Sequence, residues 1–209
     1  MDIETKVNQL LKLENEEKIV KTLQDINRLF LTKYMIRIDN TTKVYPVEVE
    51  AYYCNIEIET DFRDELIHNN LRQSNHDGKL YVHKKSGTRA GIDVCLSNTA
   101  NYSLSILIRG AYINDKLVYG INNVLTEIMQ LSKYDIEKLE KIANVYVERD
   151  FHKYDYDKDA KYIFTQKRIL DRQYAEENFE LNSLLITEIN NILFLKPSFY
   201  RGKHSISFS

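Results

Sequence analysis

The chain has 209 residues, 43% of them hydrophobic, which is enough to bury one sizeable core and far too apolar for a disordered chain. Its 31 acidic residues against 29 Lys and Arg give a net charge of −2, which argues against tight binding of duplex DNA by counterion displacement. Two cysteines, Cys54 and Cys95, make no disulfide framework, and without Cys-x-x-Cys spacing or a Cys/His cluster no zinc is expected.

Ile3, Val7, Leu10 and Leu11 recur at helical spacing, and Val20, Leu23, Ile26 and Phe30 continue it after a helix start at Asn15-Glu16-Glu17. Residues 1–33 therefore read as two amphipathic helices. Met35 to Ile38 reads as a short strand, Asp39-Asn40 as a turn, and Val44 to Tyr53 as a longer strand. Within it Val47, Val49 and Ala51 alternate with Glu48, Glu50 and Tyr52, so the two glutamates share a face. Residues 55–77 are polar and irregular, with at most a short helix around Asp61 to Ile67.

After the turn at His76-Asp77-Gly78, the runs Leu80 to His83, Gly91 to Leu96 and Leu104 to Arg109 complete an antiparallel core. Ile121 to Met129 marks a helix, and Ile136 to Ala143 another that begins near Asp135. Tyr162 to Thr165 reads as a strand, and Ser183 to Leu195 as a helix stopped by Pro197. The fold class is α+β: a single domain, 1–209, with N-terminal helices (1–33), a curved antiparallel sheet core (34–111), and helices and additional strands (112–209).

Asp155 to Asp159 has the opening spacing of a calcium loop, but Ala160 and Gln166 stand where glycine and a bidentate glutamate are needed. No glycine-rich phosphate loop occurs. No secretory leader or run of 18 apolar residues is present, so a cytoplasmic protein without a membrane partner is expected. What remains is a set of polar residues on strands, Glu50, His83, Asp93 and Arg109, with His68 in the intervening loop. Such side chains either pair and line a pocket or form the solvated face of a half-exposed sheet.

Several segments, in order, resemble the methylpurine (alkyladenine, or 3-methyladenine) DNA glycosylase family between Asp25 and Ala111. Ile26 to Leu31 with Met35 to Ile38 is similar to the helix and first strand that open its core. Val47-Glu48-Val49-Glu50-Ala51-Tyr52 resembles its Val-Glu-Thr-Glu-Ala-Tyr strand, Asp64 to His68 its Asp-Glu/Pro-x-x-His segment, and Gly78 to His83 its Gly-x-Leu-Tyr-Val-Tyr strand. Counting on without a gap, Gly87 and Asp93 meet a family glycine and asparagine, and Ser105 to Ala111 is similar to the Val-Leu-Leu/Ile-Arg-Ala strand. Lys167-Arg168-Ile169 is compared with a Pro-Arg-Val-Gly segment.

The resemblance implies a glycosylase-like fold and the excision of a modified or damaged purine, as in DNA repair. Glu50 would activate a water as general base, and Arg109 would help to hold that water. Tyr52, His68, Tyr81, His83 and Asp93 would bind the base, with His83 in the place of a stacking tyrosine and Asp93 in that of a discriminating asparagine. No metal or other cofactor is implied. Ser86 stands where the family has its wedge tyrosine, and the Thr-Pro-Arg-Asn stretch between His68 and Gly78 is missing. Together with the acidic balance, these departures weaken duplex gripping while leaving the base pocket. The expected partner is therefore single-stranded or distorted DNA, or a free nucleotide, and a binder without turnover is the alternative. A carboxylate at Asp93 accepts hydrogen bonds only and favours a ring that presents N–H donors, and a protonated His83 would favour an electron-rich ligand. Lys79, Lys84, Lys85, Arg89 and Arg109 gathered on the rim would favour nucleic acid.

Overall fold

The computed structural model describes residues 2–60, 62, 64, 73, 76–83, 91–98, 101–149, 163–168 and 179–185. His68, Ser86, Lys84, Lys85 and Arg89, the helix expected around 61–67 and the Asp155 to Asp159 segment lie outside them or almost so.

Each of the N-terminal helices begins at a side chain that satisfies an otherwise orphaned backbone amide. Asp2 accepts from Thr5 N at 2.8 Å ahead of α1 (Ile3–Leu10), and Asn15 accepts from Lys18 N at 3.1 Å ahead of α2 (Glu16–Lys33). The apolar stripe of α2 buries Ile19, Leu23, Ile26, Phe30 and Leu31. From its C-terminus the chain passes directly into β1 (Tyr34–Arg37) and then, after the Asp39 turn, into β2 (Lys43–Asn55).

The remaining elements are β3 (Leu80–Val82), β4 (Ile92–Asn98), β5 (Tyr102–Ile113), β6 (Lys116–Tyr119), α3 (Ile121–Ser132), α4 (Ile136–Glu140), β7 (Tyr146–Glu148), β8 (Ile163–Gln166) and β9 (Asn182–Leu185). The strands form one antiparallel, curled sheet in the order β3-β4-β5-β2-β1-β7, with β6 added to β5 and the β8/β9 pair added to β2. The architecture is α+β, as its element order implies.

The helix expected from Ser183 begins instead as strand β9, whose Leu184, Ser183 and Asn182 pair with Glu48, Val49 and Glu50 of β2. A short apolar run does not distinguish a helix from a buried strand, and the free edge of β2 decides the matter by offering a ladder. Asn27 fixes the junction from the helix side, donating through Nδ2 to Leu181 O at 2.8 Å and Ser183 Oγ at 3.3 Å. Residues 186–195 lie outside those described.

The register separates two faces. Val49, Ala51 and Tyr53 of β2 pair with Ile108, Ile106 and Leu104 of β5, and Ile106 in turn pairs with Val94, which pairs with Leu80. All are buried and belong to the main core with α1, α2 and α3. The opposite face carries Glu48, Glu50 and Tyr52 of β2, because successive side chains alternate across a strand.

Two compensating register shifts interrupt the β2/β5 ladder. Pro46 pairs with Ala111 and Glu48 with Gly110, so Val47 is the extra residue on β2; Val49 then pairs with Ile108, so Arg109 is the extra residue on β5. A bulge re-aims the side chains beside it. Gly110 is required at this point by close packing, because a Cβ there would lie 2.8 Å from Tyr119 Cδ1 and 3.3 Å from Val47 Cγ2. Gly110→Ala is expected to cost about 1–3 kcal/mol through overpacking, read from the shift in urea midpoint against wild type.

Candidate functional site

The polar face opposite the main core is not solvated, which overturns the reading of Glu48, Glu50 and Arg109 as surface charges. Glu48 and Glu50 are 0% exposed, Asp93 2% and Arg109 8%. Buried carboxylates on a central strand are costly unless they are paired and hydrogen-bonded. Here they are both. Arg109 Nη1 donates to Glu50 Oε2 at 3.1 Å, and Arg109 Nε lies 3.6 Å from Glu48 Oε1. From β9, Asn182 Nδ2 reaches Glu48 Oε1 at 3.1 Å and Glu50 Oε1 at 3.3 Å, so one amide nitrogen spans both acids.

Tyr52 completes the hold on Glu50. Its hydroxyl donates to Glu50 Oε2 at 3.1 Å, and burial, reinforced by the charge of Glu50, raises the phenol well above its ordinary range, so it stays a donor. One face of its ring is covered by the Arg168 guanidinium, 4.6 Å from the centroid. Arg168 is locked by a bidentate pair with Asp64 at 2.8 and 3.0 Å, and both are buried. Such fork-to-carboxylate pairing fixes the plane of the guanidinium as well as its position. Tyr119, also on this face, has its hydroxyl buried without a hydrogen-bond partner among the described residues. Burial, then the charge of Glu48, raises its phenol.

The second polar centre lies across the sheet. His83 Nε2 is 2.8 Å from Asp93 Oδ2, and Ser105 Oγ donates to the same oxygen at 3.1 Å. Burial works against protonation of His83, but the charge and hydrogen bond of Asp93 prevail, and its pKa is raised. A protonated His83 is thus charge-matched within the pair. Tyr81 is fully buried, its ring edge-on to both His83 (4.9 Å between centroids) and His76 (5.4 Å), while Glu140 of α4 ties down β3 by accepting from Val82 N at 2.9 Å.

The two centres share one cross-strand row. Asn182 pairs with Glu50, Glu50 with Leu107, Leu107 with Asp93, and Asp93 with Tyr81, so side chains from five adjacent strands project from the same face. The next row holds Tyr52, Ser105 and Cys95. Of the residues expected from sequence, Glu50, Arg109, Tyr52, Tyr81, His83 and Asp93 all fall on this face, and His68 lies outside the described residues. Arg109 is not a rim cation, because its guanidinium is spent on the glutamates.

Sequence reasoning had no place for Asn182, gave Glu48 no role in the site, and matched Asp64 and Arg168 to separate family segments without pairing them. The polar Asn182 and Ser183 ahead of an apolar run were the available signal. Among the described residues, no group of three His, Cys, Asp or Glu side chains converges as metal ligands, and no helix is long and apolar enough to cross a membrane. No protein-family model matches the sequence, and no significant match to a curated protein is found.

Removing the cation should expose the cost of the acids. Arg109→Met leaves two buried carboxyl groups without their guanidinium and is expected to lose about 3–5 kcal/mol in urea unfolding. For His83 the sign follows from a folded pKa raised above the ordinary 6.5. The dyad's contribution is fully present below that pH and is lost as pH rises through the raised value. The stability difference between wild type and His83→Gln, followed by thermal unfolding against pH, should therefore shrink on going to alkaline pH.

Proposed function

We propose that this chain hydrolyses an N-glycosidic bond, releasing a modified or damaged purine in the manner of a 3-methyladenine DNA glycosylase, with the corresponding glycosylase-like fold. The observation that carries the reading is Glu50: a fully buried carboxylate at the centre of the sheet, oriented by Arg109, Tyr52 and Asn182. Cleaving such a bond calls for a fixed carboxylate near the anomeric carbon, first to take a proton from the attacking water and then to offset the developing oxocarbenium charge. Donors already in place mean that little reorganisation accompanies the reaction.

In this reading Arg109 and Asn182 hold the two glutamates at fixed separation, Tyr52 steers Glu50, and Asp93 with His83 meets the base about two strands away. The resemblance of Asp25 to Ala111 supports the assignment of roles. The substrate is single-stranded or distorted nucleic acid, or a free nucleotide, in the cytoplasm. The net charge of −2 supports the second reading, a base-binding protein without turnover, to the extent that it disfavours a long phosphate backbone.

Base release followed by liquid chromatography, from alkylated and deaminated single- and double-stranded DNA, RNA and free nucleotides, tests the proposal. Glu50→Gln is expected to reduce release by about 10²–10⁴-fold while the protein remains folded. Release that is indifferent to Glu50 would overturn the assignment, and retention of a nucleotide by both proteins without any release would favour the second reading.

A further inference from the structure

One face of the Tyr52 ring is already occupied. The Arg168 guanidinium lies over it with its central carbon 4.6 Å from the centroid, and Asp64 takes that guanidinium as a fork at 2.8 and 3.0 Å. Both side chains of the pair are 0% exposed. A planar, delocalised cation stacked on an aromatic ring and hydrogen-bonded along one edge by a carboxylate fills the place that a flat heterocycle would take. Glu50, which accepts from the Tyr52 hydroxyl at 3.1 Å, is fully buried as well, and its charge is among those that act on Arg168.

The cover belongs to an outer strand. Arg168 follows β8, which pairs with β9 alone among the described strands, whereas β9 is the strand that pairs with β2 and carries Asn182. Across the β8/β9 hairpin, Arg168 N donates to Phe179 O at 3.2 Å, and the Phe179 ring stacks on Phe62 at 4.6 Å between centroids. The segment of Arg168 is thus joined to that of Asp64 by the forked pair and by this stack, with a longer bond of 3.4 Å from Arg168 Nη1 to Ala51 O. Parting those contacts frees the ring of Tyr52 without breaking the β2/β9 ladder or the bonds of Asn182 and Arg109 to the glutamates. A buried ion pair is also a poor choice for a purely mechanical tie, because apolar residues of the same volume often hold as well or better.

We propose that Arg168 is an autoinhibitory cap: it holds the face of Tyr52 on which a base would stack, and the site opens when the Asp64–Arg168 pair parts. The inference rests on the reading of this face as a base site and adds how access to it is regulated. A ligand then meets a protein of which only the uncapped fraction is competent, and its apparent affinity is lowered by that fraction. Loosening the fork from either side raises the fraction. Arg168→Lys keeps the charge and nearly the length of the side chain but loses the plane and the fork. Asp64→Asn keeps the shape of the acceptor and removes its charge. Neither substitution makes a cavity of its own.

The test titrates unsubstituted purine, a flat heterocycle with no glycosidic bond, into the full chain by calorimetry. Arg168→Lys and Asp64→Asn are each expected to bind purine at least about 10-fold more tightly than wild type, and Tyr52→Leu added to Arg168→Lys to abolish the gain. If one of the two single variants does not fold, the other decides. Equal or weaker binding in the variants, no binding by any of the proteins, or a gain that survives Tyr52→Leu would each overturn the inference. A pair that only ties two segments together gives the first of these results, with a lowered urea midpoint. Tighter purine binding without Glu50-dependent base release would leave Arg168 as the cap and remove the hydrolase. Glu50-dependent release with unchanged purine affinity would do the reverse.

Discussion

The structure depends on how two buried glutamates are kept on one face of a central strand. Glu48 and Glu50 are both fully buried on β2, and one guanidinium and one amide hold them. Several features of the sheet follow from that need. The paired register shifts give β5 an extra residue at Arg109, and Gly110 lets Tyr119 and Val47 close over the bulge. Strand β9 pairs with β2 along Glu48 to Glu50, which brings Asn182 between the acids, and Asn27 of α2 holds the chain there.

Such an arrangement is an expensive way to make a core. Ions buried in this manner rarely stabilise a protein more than apolar residues of the same volume would. The opposite face of the same strands shows the cheaper solution, with Val49, Ala51 and Tyr53 against Ile108, Ile106 and Leu104. A chain that builds an apolar layer on one side of β2 and a hydrogen-bonded charged layer on the other invests stability in the second. Buried carboxylates with fixed donors are what proton transfer and charge stabilisation require. The His83–Asp93 pair at the far end of the row extends the same polar layer to β4 and β3, giving the face two chemically different ends.

Much of this was legible in the sequence, and the limits have physical causes. Helical periodicity and the caps at Asn15 and Asp135 located α2 and α4, because both are local signals. Alternation in Val47 to Tyr52 put Glu48 and Glu50 on one face. Whether that face was wet or dry was not legible, since the answer lies with Asn182, 134 residues from Glu48 in the chain. The same distance explains the misreading of Ser183 onwards: the run has helical spacing, and only the open edge of β2 makes it a strand. Asp93 and His83 were singled out as polar residues on strands, but their pairing with each other, and the sharing of Asp93 with Ser105, arises from the β3/β4/β5 register. Arg109 was read as a group that helps to hold a water; its contacts with Glu48 and Glu50 arise from the bulge that makes it the extra residue on β5.

The central claim is that these charges are kept for chemistry and not to hold the sheet together. The most direct measurement is the equilibrium unfolding of a variant in which the whole group is neutralised at nearly constant volume: Glu48→Gln, Glu50→Gln and Arg109→Met together. Replacing a complete buried ion group is often neutral or stabilising by about 1–4 kcal/mol, in contrast to breaking it. The account predicts a folded protein with a urea midpoint at or above that of wild type. A lower midpoint that corresponds to a loss of several kcal/mol in unfolding free energy would contradict it, and would identify the glutamates and Arg109 as the sheet's own structural ties.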